Sequence, residues 1–185
     1  MKKIKSVFER NYKGDRTVYN EVVEGSEWVI NGEGVATTKF DGTSCMVRDG
    51  KLYKRYDRKI NKKYKKQLGT DGFEPTEANF KPAPEGWESC EEKPNLHTAH
   101  WPGWLPVQED DPATKYHVEA MDPELPDGTY ELVGPKVQSN PHNLDRHELW
   151  SHGSVVVEDF PRTFDGIKEY FAEHGEETEG VVFHH

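Results

Sequence analysis

Between residues 70 and 115 the chain holds seven of its twelve prolines and three of its five tryptophans, in runs such as "FKPAPEGWES" and "HWPGWLPVQEDDP". Proline fixes φ and removes a backbone donor, so this density precludes a regular helix or a central strand. Trp87, Trp101 and Trp104 are large enough to pin irregular backbone onto a core. The stretch therefore reads as a packed excursion and not as a linker between domains. Regular structure has to come from the segments on either side.

Those segments read mostly as strands. From Glu27 to Arg55, "EWVI", "GEGVATTKF", "TSCMV" and "LYKRY" form a meander of antiparallel strands, and Asp49-Gly50 supplies a two-residue hairpin turn. Further on, "DGTYELVGPKV" (127–137), "SVVVEDF" (154–160) and the final "TEGVVFHH" have the same character. Between Thr163 and His174 the period changes: Phe164, Ile167 and Phe171 share a helical face, Thr163 is the N-cap, Asp165 lies in the first turn and Gly175 is the stop. The expectation is an α+β chain with few helices, forming a single domain over residues 1–185. An apolar fraction of 33% is low for a globular protein, but 11% aromatic residues is too many for a disordered one.

A formal net charge of −10 repels nucleic acid and anionic membranes at long range. Any polyanion must be met by a local basic patch or by metal ions. One patch stands out: "KRYDRKINKKYKK" (54–66) has eight lysines and arginines against one aspartate, with Tyr56 and Tyr64 interleaved. Lys54, Arg55, Arg58, Lys62, Lys63, Lys65 and Lys66 are its candidate nucleic-acid contacts, the alternative being a solvated charge block. Cys45 and Cys90 make neither a zinc pattern nor a disulfide framework, which suggests reduced thiols. Cys90, His97 and His100 are too loosely grouped for a zinc site. There is no signal-peptide pattern and no run of about 20 apolar residues, so the expected setting is soluble and cytoplasmic, with no membrane partner.

The stretch "TTKFDGT" (37–43) raises a sharper question. Asp41-Gly42 can be an ordinary turn after a strand lysine. Alternatively, Lys39 is a nucleophile. A free ammonium has a pKa of about 10.4, so attack on phosphorus needs a nearby cation, a metal or desolvation. A triphosphate is best managed by magnesium, which takes oxygen ligands. Glu131 in "TYELVG" and Glu179 in "EGVVF" are candidate acids on strands.

Lys39-Phe40-Asp41-Gly42 resembles the first motif of the covalent nucleotidyltransferases, the superfamily of ATP-dependent DNA ligases, RNA ligases and mRNA capping enzymes. "YKRYD" resembles the arginine-bearing element that follows it, "YELVGPK" the motif whose glutamate lies by the ribose, and "EGVVF" the fourth motif, whose glutamate helps hold metal. With "HWPGW" and "GPKVQSNP", the pattern looks most like the small 5′-3′ RNA ligases of phages, bacteria and some animals.

This resemblance implies antiparallel sheets flanking a nucleotide cleft, with ATP and Mg2+ (or Mn2+) as cofactors. Lys39 would take AMP from ATP as a phosphoramidate and pass it to the 5′-phosphate of an RNA, after which a 3′-hydroxyl attacks and AMP leaves. Thr38 would meet adenine through its backbone, within a nucleotide site that also includes Asp41 and Gly42. Arg55, with Lys54, would touch ATP phosphates or the RNA end. Glu131 would bind ribose or metal, Glu179 metal, and Lys136 a phosphate. The compartment would be the host cytoplasm if the gene belongs to a phage.

One departure stands against the pattern. The family's last motif, with two lysines spaced K-x-K, has no match before His185; truncation is the expectation that follows, the alternative being that another base such as Lys54 substitutes. A DNA ligase, a capping-type enzyme and an inactive nucleotide- or RNA-binding fragment stay open as alternatives. The oligomeric state is not legible.

Overall fold

The structure is a computed structural model that describes residues 1–12, 14–96, 98–175 and 178–185. The first strands are β1 (Phe8–Arg10), β2 (Val18–Val22), β3 (Val35–Lys39), β4 (Thr43–Arg48), β5 (Lys51–Arg55) and β6 (Arg58–Lys59). They are followed by β7 (Glu88–Ser89), β8 (His100–Trp101), β9 (Gly103–Pro106), β10 (Gly128–Val133), β11 (Glu148–Ser151) and β12 (Gly180–His184). The α-helices are α1 (Glu27–Ile30), α2 (Lys115–Ala120) and α3 (Phe164–His174). Mixed composition, antiparallel sheets and few helices agree with the α+β expectation.

Two compact units divide the chain: Met1–Lys3 with Gly42–Ser151, and Ile4–Asp41 with His152–His185. The first is built on a six-stranded sheet in the order β11-β10-β4-β5-β9-β7. Alternation decides its faces, because successive side chains of a strand point to opposite sides. Cys45, Val47, Leu52, Tyr130 and Leu132 turn to one side and form a core with Val137, covered by Tyr116, Ala120 and Met121 around α2. Each fully buried Leu or Val contributes about 1.5–3 kcal/mol. The β4–β5 turn is the one the sequence announces: Asp49 and Gly50 both have positive φ, 51° and 69°, which matches the twist of a tight hairpin.

The tryptophan-rich stretch packs as expected, but it does enter the sheet. β9 lies between β5 and β7, with Pro106 opposite Tyr53 and Trp104 opposite Arg55. The proline is tolerated because it ends the strand, where a missing N–H interrupts no continuing ladder.

In the second unit β12 pairs antiparallel with β3, and β1 with β2. Phe160 is buried there with its ring against Tyr170, Phe171 and Phe183. α3 matches the sequence reading: the Thr163 side chain accepts from the Gly166 N–H, and Gly175 is the C-cap. Two expectations fail. "EWVI" is the short helix α1 and not a strand, because a four-residue apolar run carries no period that separates the two; it buries Val29 and sets Trp28 edge-on to Phe183. "SVVVEDF" supplies one isolated bridge, Thr37 to Val156, and no strand. Val155 and Val156 are 48% and 47% exposed, and Asp159 breaks the run with a φ of 52°. β1, β2, β6, β7, β8, β11 and α2 are additional to the elements expected from the sequence. Among the described residues, no helix is long and apolar enough to cross a membrane.

Candidate functional site

In the second unit the register of β12 on β3 sets Gly180 opposite Lys39, Val181 opposite Thr38 and Val182 opposite Thr37. The apolar side chains of β12 fix that register, and Phe183 anchors it among Phe160 and Trp28. Glu179, just outside the ladder, is thereby delivered to the lysine: its Oε2 lies 2.5 Å from Lys39 Nζ, with the two side chains 43% and 38% exposed. The two residues most directly implicated by the sequence are thus an ion pair across paired strands. The Thr38 N–H donates to the Val155 carbonyl, so its backbone donor is already engaged. Phe40 is buried and Asp41 half-buried.

In the first unit, Glu131 lies on the sheet face opposite the core. Cross-strand pairing makes Trp150 and Ser44 its neighbours. The β4–β5 register carried one residue further faces Ser44 with Arg55, whose own partner is Trp104, followed by Glu88. Directly paired residues share a face, so one transverse row reads Trp150, Glu131, Ser44, Arg55, Trp104, Glu88. At about 4.8 Å per strand, Glu131 and Arg55 arise about 10 Å apart. Gly42 abuts this row: a Cβ there would come 2.8 Å from Glu131 Cγ and 3.0 Å from Val133 Cγ1, and would run into the Leu132 carbonyl. The glycine of "KFDG" is therefore required by the strand carrying Glu131.

Arg55 is held rather than loose. Its Nε donates to Asp57 at 2.6 Å, Nη1 donates to the Met1 carbonyl at 2.7 Å, and the guanidinium lies 5.5 Å from the Trp104 ring centre. Lys54 pairs with Cys45 and so belongs to the opposite, core-side face. Burial first, and then the charges of Lys54 and His147, push His117 down to about 4. Burial, with the Glu131 charge as a lesser cause, pushes the Cys45 thiol up to about 12.

The basic run is split. Lys62, Lys63, Lys65 and Lys66 are exposed around a 3-10 turn. Arg58 is 3% exposed, lies between the rings of Trp87 and Trp101, and donates to the Lys81 carbonyl and to Glu77. The structure brings its guanidinium into the core of the tryptophan stretch, away from the surface lysines.

Lys136 is exposed in the turn after β10. Its N–H donates to Nε2 of His147 at 3.2 Å, and the His147 ring is in turn bound through Nδ1 to Glu119 Oε2 at 3.0 Å. Two residues on, the Gln138 amide donates to the Gly42 carbonyl at 3.3 Å. Sequence reasoning missed His147, Glu119 and Gln138, because nothing local marks a histidine eleven positions from the backbone it supports. The strand position of Glu131 was findable, since it alternates with the apolar Tyr130 and Leu132.

Among the described residues no three His, Cys, Asp or Glu side chains form a ready-made metal cage. Glu179 and Glu131 offer single carboxylates, which suits magnesium, a cation that keeps several waters and takes one or two protein oxygens. The expectation about Cys90, His97 and His100 falls on His97, which lies outside the described residues. Two open grooves, of about 490 and 390 Å³, flank α2. Neither is lined by Lys39, Glu131 or Glu179, so the grooves do not mark the chemistry.

No protein-family model matches the chain. It is similar to proteins named RNA ligase 1: 27% identical to that of Pongo abelii and 28% to those of Rattus norvegicus and Mus musculus, each over 81% of this chain. The chain spans 62% of the length of these relatives. Over the greater part of its own sequence it is therefore similar to RNA ligases.

Proposed function

We propose that the protein is an ATP-dependent RNA ligase of the covalent nucleotidyltransferase type, joining 5′-phosphate and 3′-hydroxyl RNA ends through a lysyl-AMP intermediate. The observation that carries the reading is the ion pair between Lys39 and Glu179 across β3 and β12. Chance gives no reason for the lysine of the first motif to meet the acid of the fourth. The similarity to proteins named RNA ligase 1 supports RNA as the polymer.

In the first step the Lys39 ammonium must part from the Glu179 carboxylate and lose its proton to solvent, and Nζ then attacks the α-phosphorus of ATP. A phosphorus–nitrogen bond forms, the bond to the bridging oxygen breaks, and pyrophosphate leaves. The RNA 5′-phosphate then displaces Lys39 and takes the AMP, and a 3′-hydroxyl displaces AMP to close the chain. Glu179 and Glu131 are each an oxygen donor suited to a divalent cation, which would supply neutralisation of phosphate charge. Such transfers depend mainly on positioning and charge neutralisation. Arg55, fixed by Asp57, contributes a directed cation, and the exposed Lys136 contributes a further positive charge. The exposed Lys62, Lys63, Lys65 and Lys66 supply the local attraction for RNA that a net charge of −10 otherwise opposes.

Intact mass after incubation with ATP and magnesium tests the reading. The expected result is a gain of one AMP on the wild type and none on Lys39→Ala. An unmodified wild type, or the same gain on Lys39→Ala, would overturn it; retained ATP binding without the adduct would point to a nucleotide-binding domain without turnover.

A further inference from the structure

The loop after β10 is bent in a way that its sequence does not favour. Gln138, Ser139 and Asn140 have φ of 47°, 64° and 58°, three consecutive left-handed residues none of which is glycine. Each such residue costs on the order of 1–3 kcal/mol and persists only where its surroundings over-determine it. The holders are identifiable. Val137 N–H donates to the Gly134 carbonyl at 3.0 Å, and Asn140 brackets Leu144 through both side-chain atoms, at 2.9 and 3.0 Å.

Behind the loop stands His147, 5% exposed. Gly134, at φ 145°, leaves room for it: a Cβ there would come 2.7 Å from His147 Cα and Cδ2. Because His147 Nε2 accepts from the Lys136 N–H, the ring proton belongs on Nδ1, where it donates to Glu119 Oε2. The His147 N–H donates to the other oxygen of the same carboxylate at 3.2 Å, and Tyr116 stacks on the ring with centres 4.2 Å apart. Tautomer and ring orientation are therefore both fixed from the α2 side. These two hydrogen bonds, backbone first and ring second, hold the Glu119 carboxyl below its usual range.

We propose that His147, oriented by Glu119, is a positioning residue for nucleotide binding: it fixes the loop of residues 134–140, and so the backbone from which the Lys136 ammonium extends and the Gln138 bond to Gly42. The functional half of this inference rests on the reading of Lys136 as a phosphate contact. The structural half stands without it. A cation on a surface turn is ordinarily a swinging point charge, and its value to a triphosphate depends on where it is held. Here the backbone at Lys136 is tied on one side to a buried ring, and the same short loop is tied on the other to the Gly42 carbonyl.

Two substitutions separate the ring's two bonds. In His147→Asn the short amide keeps a donor near Glu119 but loses the acceptor for Lys136, whereas in His147→Gln the longer side chain carries an oxygen to the Nε2 position. Two readouts follow: exchange of the Lys136 amide proton in the ATP-free protein, and the ATP dependence of AMP transfer to Lys39. We expect the Asn variant to exchange that amide at least about ten-fold faster. Its KM for ATP should rise about ten-fold, while the AMP adduct at saturating ATP stays within about two-fold of wild type. The Gln variant should recover most of both.

A Gln variant no better than Asn, an unchanged Lys136 amide in Asn, or a lost adduct with unaltered KM would overturn the proposal. Glu119→Gln, an exposed and milder change, repeats the test should His147→Asn fold poorly; its expected result is a smaller shift in the same two readouts. A wild type that forms no adduct would sink the functional reading alone, since the amide readout still decides whether the clamp exists.

Discussion

The two units hold their functional side chains in opposite ways. In the unit built on the six-stranded sheet, Cys45, Val47, Leu132 and Val133 are all 1% exposed or less, and the polar groups around them are tied down: Arg55 by Asp57, Arg58 by Glu77 and Lys81, His147 by Glu119. In the unit of β3 and β12, α3 has no buried residue and several valines lie open. Lys39 there has an exposed carboxylate as its partner. On the proposed function, Arg55 gains from rigid support as a cation that meets a polyanion, whereas Lys39, as the nucleophile, gains from an accessible position.

Core substitutions are the most severe way to break this contrast. Leu132→Ala removes a 1% exposed side chain between Cys45, Val47 and Tyr130 and should cost about 3–4 kcal/mol, the cavity adding to the lost transfer energy. Val156→Ala, at a half-exposed bridge residue, should change stability by no more than about 0.5 kcal/mol. Urea midpoints at constant m-value measure both. If Val156→Ala cost as much as Leu132→Ala, the second unit would be as tightly built as the first and the comparison would fall.

The sequence revealed strands where alternation and a turn coincided. β4, the Asp49-Gly50 turn and β5 are local facts, and so is α3 with its threonine cap. It failed where the outcome belongs to partners far along the chain. "SVVVEDF" has high strand propensity but finds only one bridge on Thr37, and propensity yields to the absence of a ladder to join. "EWVI" is too short for its period to be read. For the candidate site, an acid facing Lys39 and the strand position of Glu131 were legible, because motif spacing and alternation are written in order. Arg58 was not, since no one-dimensional pattern distinguishes an arginine among surface lysines from one filling a cage of two tryptophans.

A middle-sized effect concerns His117, whose two ring nitrogens are buried without hydrogen-bond partners. Its pKa is lowered from 6.5 to about 4, with burial as the leading cause. A lowered folded pKa means that the unfolded chain binds the extra proton first. The stability tied to the neutral ring is therefore complete above about pH 6.5 and lost as pH falls through about 4. His117→Leu removes both the unpartnered nitrogens and the titration, so it should be neutral or mildly stabilising at pH 7. Its advantage over wild type should grow by about 1 kcal/mol between pH 7 and 4.5, discounted for the ring's partial exposure. Parallel stability curves for the two proteins across that range would show that the ring is solvated, and that the first unit is looser under α2 than its core suggests.

The smallest expected stability effect carries the sharpest consequence. Lys39 and Glu179 form a close ion pair between half-exposed side chains, and pairs of that kind contribute roughly 0–1 kcal/mol. Lys39→Ala and Glu179→Gln should therefore each shift the urea midpoint by less than 1 kcal/mol in free energy, at the edge of measurement. The same two changes should have large effects on chemistry: no AMP adduct from the first, and at least a ten-fold slower adduct from the second, about the loss expected when a charge-managing group is removed from a phosphoryl-transfer site. A pair that matters to the reaction and hardly at all to the fold is what an accessible nucleophile requires. Were Lys39→Ala instead to cost about 3 kcal/mol, on the scale of removing one partner of a buried ion pair, the lysine would be a structural member of the β3–β12 ladder. "KFDG" would then be a turn with a salt bridge beside it.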